Sequence, residues 1–330
     1  MPLVLTRSEL AGLVGPADVV AAVEHAFADV ARGTADQPPL SSARLPGADA
    51  QFLPLTAVDS RTGLAGSKLL ADIPGNRARG LPAQRSVLVL VSALTGECEA
   101  VLDGGLPTRL RTAAASAVAT RALARPTSSV LGLVGAGGLA VEHVNALAGV
   151  LELEQVLVWS RTPATTARFV GDLAAGHPSL KVTVLDSPAA VVGGSDVVCT
   201  LTPSREPVVR GEWFHPGLHV NAVGAPPRPD HREIDGAGMA AARVVVDSRS
   251  TALHESGDVL LAIDEGAIGP DHVQVELGDV LTGRAAGRTG PDEVTLFNSV
   301  GLGILDVAIG RLLLDAARAL GRGTTVDLAS

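Results

Sequence analysis

The sequence predicts an α/β protein in which a parallel sheet wound with helices occupies the middle of the chain and a separate α+β region precedes it. Three observations carry this. From Ser129 to Asp247, short runs of Val, Leu and Ile alternate with segments of helical period, the pattern of strands joined by crossover helices. A glycine-rich turn, Gly135 to Ala140, connects the first of those strands to the helix after it. From Ala43 to Leu102 the chain reads instead as short apolar runs broken by Gly, Pro, Asn and Asp, the signature of a meander.

The elements follow in order. Residues 8–32 read as helix, with Thr6 and Glu9 at capping-box spacing and an alternative start at Pro16, Ala17 and Asp18. Residues 33–43 are polar and Pro-rich and read as a loop. Gln51–Val58, Gly63–Leu70 and Arg85–Ala93 read as meander strands, and Ile73–Pro82 between the last two has turn composition. Pro107–Ala124 is an Ala-rich helix stopped by Pro126. The alternation is then strand Ser129–Val134, helix Gly137–Gly149, strand Gln155–Trp159, helix Pro163–Ala175, strand Val182–Leu185, helix Ser187–Val192 and strand Asp196–Thr200. Leu218–Ala222 and Val244–Asp247 are two more strands, and Gly301–Leu320 is a long amphipathic helix.

Composition narrows the function classes. The chain has 330 residues, enough for two domains of ordinary size, and 46% are hydrophobic. Aromatics make up 2% and there is no Tyr, so the core is expected to be aliphatic. A net charge of -9 argues against a nucleic-acid surface, which needs clustered Lys and Arg. Two cysteines, Cys98 and Cys199, do not make a disulfide framework. No apolar run reaches the roughly 18 residues of a membrane helix, and Met1–Leu10 does not read as a signal peptide, so a cytoplasmic protein with no membrane partner is expected. His215, His219, His231 and His254 lack metal-ligand spacing, and no metal is expected. Of 26 basic residues only Lys68 and Lys181 are lysines. Lys181 opens a strand and reads as a surface residue, whereas Lys68 interrupts the apolar run Leu64–Ala71 and asks for a chemical reason.

The turn Gly135-Ala136-Gly137-Gly138-Leu139-Ala140 has the spacing G-x-G-x-x-A between a strand and a helix. Such glycines permit a tight turn and close approach of backbone to a diphosphate, which then sits on the helix N-terminus. This marks a Rossmann dinucleotide-binding domain. The next strand ends at Ser160, Arg161 and Thr162, where an acid would hold an adenosine ribose and repel a 2′-phosphate. Two hydroxyls and a guanidinium favour NADP(H), with NAD(H) possible if Arg161 instead stacks on adenine or faces solvent. Thr200, Leu201 and Thr202, and Val223 and Gly224, follow strand carboxyl ends and are expected to border the cofactor.

From end to end the chain resembles the ornithine cyclodeaminase/μ-crystallin family. The segments that carry the resemblance are Gly66-Ser67-Lys68 with Pro74-Gly75-Asn76, Leu110-Arg111-Thr112-Ala113-Ala114, Gly135-Ala136-Gly137 and Asn221-Ala222-Val223-Gly224. They continue with Val246-Asp247-Ser248, Glu276-Leu277-Gly278-Asp279-Val280 and Thr295-Leu296-Phe297-Asn298-Ser299-Val300-Gly301. The resemblance implies NAD(P)-dependent chemistry on amino acids or their cyclic imines. It implies that Arg44, Lys68 and Arg111 surround a substrate carboxylate, with Lys68 and Arg111 catalytic. It also implies a cofactor-binding set of Ala83, Arg111, Thr112, Gly135, Ala136, Gly137, Gly138, Leu139, Ser160, Arg161, Thr162, Thr200, Leu201, Thr202, Val223 and Gly224. Residues 1–118, joined by a C-terminal helix 305–330, would form the substrate-binding and dimerisation domain of a homodimer, and residues 119–304 the Rossmann domain, with the site in the cleft. Strands 51–58 and 85–93 would form the dimer seam or belong to the core.

Two departures bear on the activity. Pro226 stands where cyclodeaminases of the family carry a proton-shuttling Asp, and Asp230, four residues on, is the carboxylate that could replace it. Leu139 stands where the glycine turn usually carries Gln. Arg228-Pro229-Asp230-His231-Arg232-Glu233, Ala252–Leu261 and Val158-Trp159-Ser160-Arg161-Thr162 resemble the μ-crystallin-like ketimine reductase branch. The expectation is an NAD(P)H-dependent reductase of cyclic imino acids. A cyclodeaminase, an amino-acid dehydrogenase and a non-catalytic NADPH-dependent binding protein are the alternatives.

Overall fold

The computed structural model describes residues 1–328, and these divide into two compact units. Unit 1 comprises Met1–Arg111 and the segment from Leu302 onward; unit 2 is Thr112–Gly301.

Unit 1 is built on a mostly antiparallel sheet whose three long strands are Gln51–Asp59, Leu64–Asp72 and Gln84–Ser92. Strict alternation puts Leu53, Leu55, Ala57, Leu64, Leu70, Leu88 and Leu90 on one buried face, as a half-covered strand requires. The helix Pro16–Arg32 packs against the edge strand Ala35–Asp36 and against the helix Gly303–Ala319, which covers that face. Gly303 and Gly310 bring the second helix close: a Cβ on Gly303 would lie 2.9 Å from the carbonyl carbon of Leu55, and one on Gly310 2.9 Å from the Leu90 side chain. Lys68 lies in the middle strand opposite Leu55 and Leu88, so its side chain points under this helix.

Unit 2 carries an eight-stranded sheet, parallel throughout. Its spatial order is Lys181–Val184, Gln155–Trp159, Val130–Val134, Val197–Thr200, His219–Ala222, Thr295–Asn298, Arg243–Val246 and Val275–Glu276. Chain order reverses between Val130–Val134 and Val197–Thr200, which opens a crevice at their carboxyl ends. The turn after Val134 and the loop after Thr200 lie there. The core is aliphatic, with Phe169 and Phe297 as its buried aromatics in this unit. Among the described residues no helix is long and apolar enough to cross a membrane.

Several expectations are corrected. The first helix is two, Arg7–Leu10 with the Thr6–Glu9 capping box and Pro16–Arg32, because Gly12 takes φ 70° between them. The C-terminal helix ends at Ala319 rather than continuing to 330. Gly321 and Gly323 have φ of 62° and 99°, and Thr324–Thr325 then pairs with Leu3–Val4; the last two residues of 305–330 lie outside the described residues. The turn segment within 73–82 contains a 3-10 helix, Pro74–Arg79. Strands Leu3–Leu5, Cys98–Asp103 and Thr295–Asn298 escape the sequence reading because each is short and has no clear alternation of its own.

Candidate functional site

In unit 1 a cluster of charge is buried in an apolar layer. Lys68 is fully buried, and its Nζ lies 2.7 Å from Asp306 Oδ2 and 2.9 Å from Oδ1. It also donates to Thr108 Oγ1 at 3.4 Å. Asp306 stands in the first turn of the Gly303–Ala319 helix and is itself buried. Arg111, on the helix Gly105–Leu123, places Nε 3.5 Å from Asp306 Oδ1. That Nε is buried with no hydrogen-bond partner, a donor left over for a ligand. Burial lowers the Lys68 ammonium to about 8 against the pull of Asp306, and Arg111 adds to the lowering. Two cations share one carboxylate, so the cluster keeps an excess positive charge suited to an anionic ligand.

Arg44 is exposed on the short strand Ala43–Arg44, opposite Gln51. Gln51 in turn faces Asp72, four residues along the strand from Lys68. Even spacing places Arg44 and Lys68 on the same side of the sheet, about 13 Å apart along the strand at 3.3 Å per residue. The structure therefore brings Lys68 and Arg111 together and leaves Arg44 at the rim of that face. Ala83 also lies in unit 1, where its carbonyl accepts from Ile73 N at 2.8 Å.

In unit 2 the site is made of backbone. Gly135 has φ 116°, and a Cβ there would meet Leu201 O at 2.9 Å. Gly137 caps the helix Gly138–Leu147 with no side-chain bond to its first amides, and a Cβ on Gly137 would project into open space. The first amides of this helix thus have no side-chain cap, and the small residues of the turn leave backbone open to close approach, a cradle that fits a diphosphate. Ala136, Gly138 and Leu139 complete it. His143, lowered to about 4 by burial and so neutral, donates from Nδ1 to Leu139 O at 2.8 Å and accepts at Nε2 from Ser116 Oγ at 2.9 Å. This fixes the first turn of the helix. After the next strand, Ser160 is half-buried and Arg161 and Thr162 are exposed; Arg161 makes no ion pair among the described residues. Thr112 is buried in the Gly105–Leu123 helix.

The loops after Thr200 and Ala222 are tied together by Glu233, which is completely buried. Its carboxylate accepts from Thr200 Oγ1 at 2.8 Å, Thr202 N at 2.6 Å, Thr202 Oγ1 at 2.7 Å, Gly224 N at 2.8 Å and Ala225 N at 3.2 Å. Gly224 is required because a Cβ there would lie 2.1 Å from Thr202 N. Burial raises the Glu233 carboxyl to about 7, with the Asp258 charge acting in the same direction and the Thr202 and Thr200 donors opposing.

Asp230, the carboxylate four residues after Pro226, lies at the surface, 3.1 Å from Arg205 and 2.9 Å from His231. His219 is a buried hydrogen-bonding group between Thr295 and Asn221. Among the described residues no cluster of three or more His, Cys, Asp or Glu could hold a metal ion. Sequence reasoning missed Asp306, Glu233 and His143. Asp306 left one signal, an acid on the apolar stripe of an amphipathic helix. Glu233 left another, a carboxylate directly before the apolar Ile234.

The family model for the ornithine cyclodeaminase/mu-crystallin family matches residues 1–320. Ketimine reductase mu-crystallin of Rattus norvegicus is 36% identical over 250 residues, 76% of this chain and 75% of the relative. Among solved structures, Thermococcus litoralis Delta(1)-pyrroline-2-carboxylate reductase in complex with NADH and L-proline superposes with a TM-score of 0.95 at 32% identity, covering 98% of this chain and all of that one. An archaeal alanine dehydrogenase dimer with bound NAD gives a TM-score of 0.92 at 32% identity, covering 99% of each chain.

Proposed function

The chain belongs to the ornithine cyclodeaminase/mu-crystallin family, and from that premise we propose that it is an NAD(P)H-dependent reductase of cyclic imino acids such as 1-pyrroline-2-carboxylate or 1-piperideine-2-carboxylate. The observation that carries this is the buried Lys68, held at 2.7 Å by Asp306 beside an Arg111 whose Nε has no hydrogen-bond partner. Arg111, with Arg44 at the rim, grips the substrate carboxylate and orients the C=N bond. Lys68, a proton donor with its ammonium near 8, polarises the imine nitrogen and supplies its proton. Asp306 keeps that ammonium charged and pointed. The turn Gly135–Leu139 and the loops at Thr200–Thr202 and Val223–Gly224 hold the dinucleotide, with Ala83, Arg111 and Thr112 contributing. When bound, the reduced nicotinamide supplies the hydride that adds to C2. One two-electron reduction and one proton convert the imine to the amine, so no further acid–base group is needed, and Pro226 is compatible with it. A cyclodeaminase must also move protons for ammonia loss, which a proline cannot do.

Within this reading NADPH is favoured over NADH, since Ser160, Arg161 and Thr162 offer a guanidinium and two hydroxyls and no acid. Unit 1 is the substrate-binding and dimerisation domain and unit 2 the dinucleotide domain. A homodimer forms through the sheet face of unit 1 opposite its helices. Val58, Leu69 and Val87 stand exposed on that face, a concentration of large apolar side chains that a lone subunit rarely leaves to water.

The test is oxidation of NADPH and NADH by the purified protein with both cyclic imines and with pyruvate plus ammonia. Turnover with the cyclic imines that disappears in Lys68→Met supports the reading. Faster turnover with pyruvate and ammonia makes the protein an amino-acid dehydrogenase. Ammonia release from ornithine or lysine without net NADH formation makes it a cyclodeaminase.

A further inference from the structure

We propose that Glu233 is the positioning residue of the dinucleotide site: its ionised carboxylate holds the Thr200–Thr202 and Gly224–Ala225 loops in the one arrangement that receives the nicotinamide end of the cofactor. The proposal rests on the reading of unit 2 as a nicotinamide-dinucleotide domain.

The geometry is unusual for a buried acid. Five donors converge on two oxygens, three of them backbone amides from two separate loops at the carboxyl ends of neighbouring strands. A carboxylate offers about four lone-pair sites and no hydrogen, so only the ionised form accepts such a set. A protonated acid would set its own hydrogen against one of the donors. Rotation relieves that at a Thr hydroxyl but not at the amides of Thr202, Gly224 or Ala225. Protonation therefore costs the carboxyl one accepting position and loosens its hold on the two loops.

Glu233 is itself held rigidly. Asp258, in the helix Gly257–Asp264, accepts from Glu233 N at 2.8 Å and Ile234 N at 2.9 Å, and Asn298 Nδ2 donates to it at 3.1 Å. Two buried carboxylates thus stand in series. The charged and titratable groups that act on the pair are Asp258 itself, Arg232, whose cation favours the Asp258 charge, and Cys199, whose thiol is pushed up to about 12 and stays neutral. With Glu233 raised to about 7, chiefly by burial, the clamp changes state within the neutral range. A folded-state carboxyl raised this far is ionised above about 7 and protonated below it. Cofactor binding, which uses the ionised clamp, therefore weakens as pH falls through 7.

The experiment measures the Kd of NADH, chosen because it lacks a titrating 2′-phosphate, from pH 6 to 9 by energy transfer from the protein's tryptophans. Wild-type affinity is expected to fall severalfold from pH 8 to pH 6. Glu233→Gln keeps the shape but turns one acceptor into a donor; it is expected to bind NADH at least tenfold more weakly at pH 8 and to lose the pH dependence. Asp258→Asn keeps the acceptor for the two amides and removes the charge that raises Glu233, so its binding midpoint is expected to move to lower pH. This second variant serves if Glu233→Gln does not fold. Glu233→Gln binding within twofold of wild type with the same pH profile, or an unmoved midpoint in Asp258→Asn, overturns the proposal. If wild type binds neither NADH nor NADPH, the dinucleotide reading fails instead. The clamp is then read from hydrogen exchange at the amides of Thr202, Gly224 and Ala225, and protection that does not change between pH 8 and pH 6 overturns it.

Discussion

The Lys68 centre of unit 1 is made of side-chain charges, whereas the loops of unit 2 are made of backbone amides held by one carboxylate. In unit 1, Lys68 and Asp306 lie 238 residues apart in sequence, and only the docking of the C-terminal helix on the sheet joins them. In unit 2 the glycine turn is local, and its cradle exists as soon as one strand and one helix form. The difference separates two demands. A proton donor needs a tuned environment, which requires distant groups in a dry interior. A diphosphate or nicotinamide site needs N–H groups at close approach, which glycines and helix ends supply locally.

The largest expected effect breaks the charge centre. Lys68→Met should lower kcat with cyclic imines by about 10²–10⁴-fold, the usual worth of a positioned acid. It should also destabilise the fold by about 3–5 kcal/mol, because Asp306 is left buried beside a longer-range partner only. The double variant Lys68→Met with Asp306→Leu should recover most of that stability in thermal unfolding and none of the activity, since a buried ion pair can be exchanged for apolar groups at about no cost. Recovered activity would show that Lys68 is structural.

Breaking the backbone site comes next. Gly224→Ala puts a carbon 2.1 Å from Thr202 N and should raise the Kd of dinucleotide by about tenfold or more, equivalent to about 1.4 kcal/mol. The pH limit set by Lys68 should be untouched, and a shift in both would couple the two centres. That limit is the third expectation. Lys68 donates while protonated, so kcat should fall as pH rises through about 8. Asp306→Asn removes the charge that favours the ammonium and should move this limb to lower pH; a limb that stays in place removes Lys68 as its source. The smallest effect is at the cofactor's far end. Arg161→Ala should weaken NADPH by about fivefold, near 1 kcal/mol for an exposed ion pair, and leave NADH almost unchanged. Equal losses for both cofactors would make Arg161 an adenine-stacking residue.

The backbone site was the more legible of the two. Gly135, Gly137 and Ala140 declare a strand–turn–helix junction by spacing alone, and the strand Gln155–Trp159 is found at its observed bounds because Val156, Val158 and Trp159 favour extended backbone. Lys68 was legible as an anomaly, a lysine in an aliphatic run, but its partner was not. Asp306 stands on the apolar stripe of its helix, but an acid is favoured at any helix N-terminus, where the dipole also accounts for it. Glu233 directly precedes the apolar Ile234, and that signal too has a competing reading. It lies among charged neighbours from Arg228 to Arg232, and a buried clamp and a solvated charge run look alike in sequence.

Sequence by itself determined the parallel sheet, the meander, the aliphatic core and the glycine turn, because hydrophobic period and glycine spacing act over a few residues. Tertiary structure alone decided where the C-terminal helix stops, that Asp306 reaches Lys68, and that one buried carboxylate ties two loops of the sheet together. Those outcomes depend on which charges lose water together, and desolvation is a property of the packed interior that no local pattern carries.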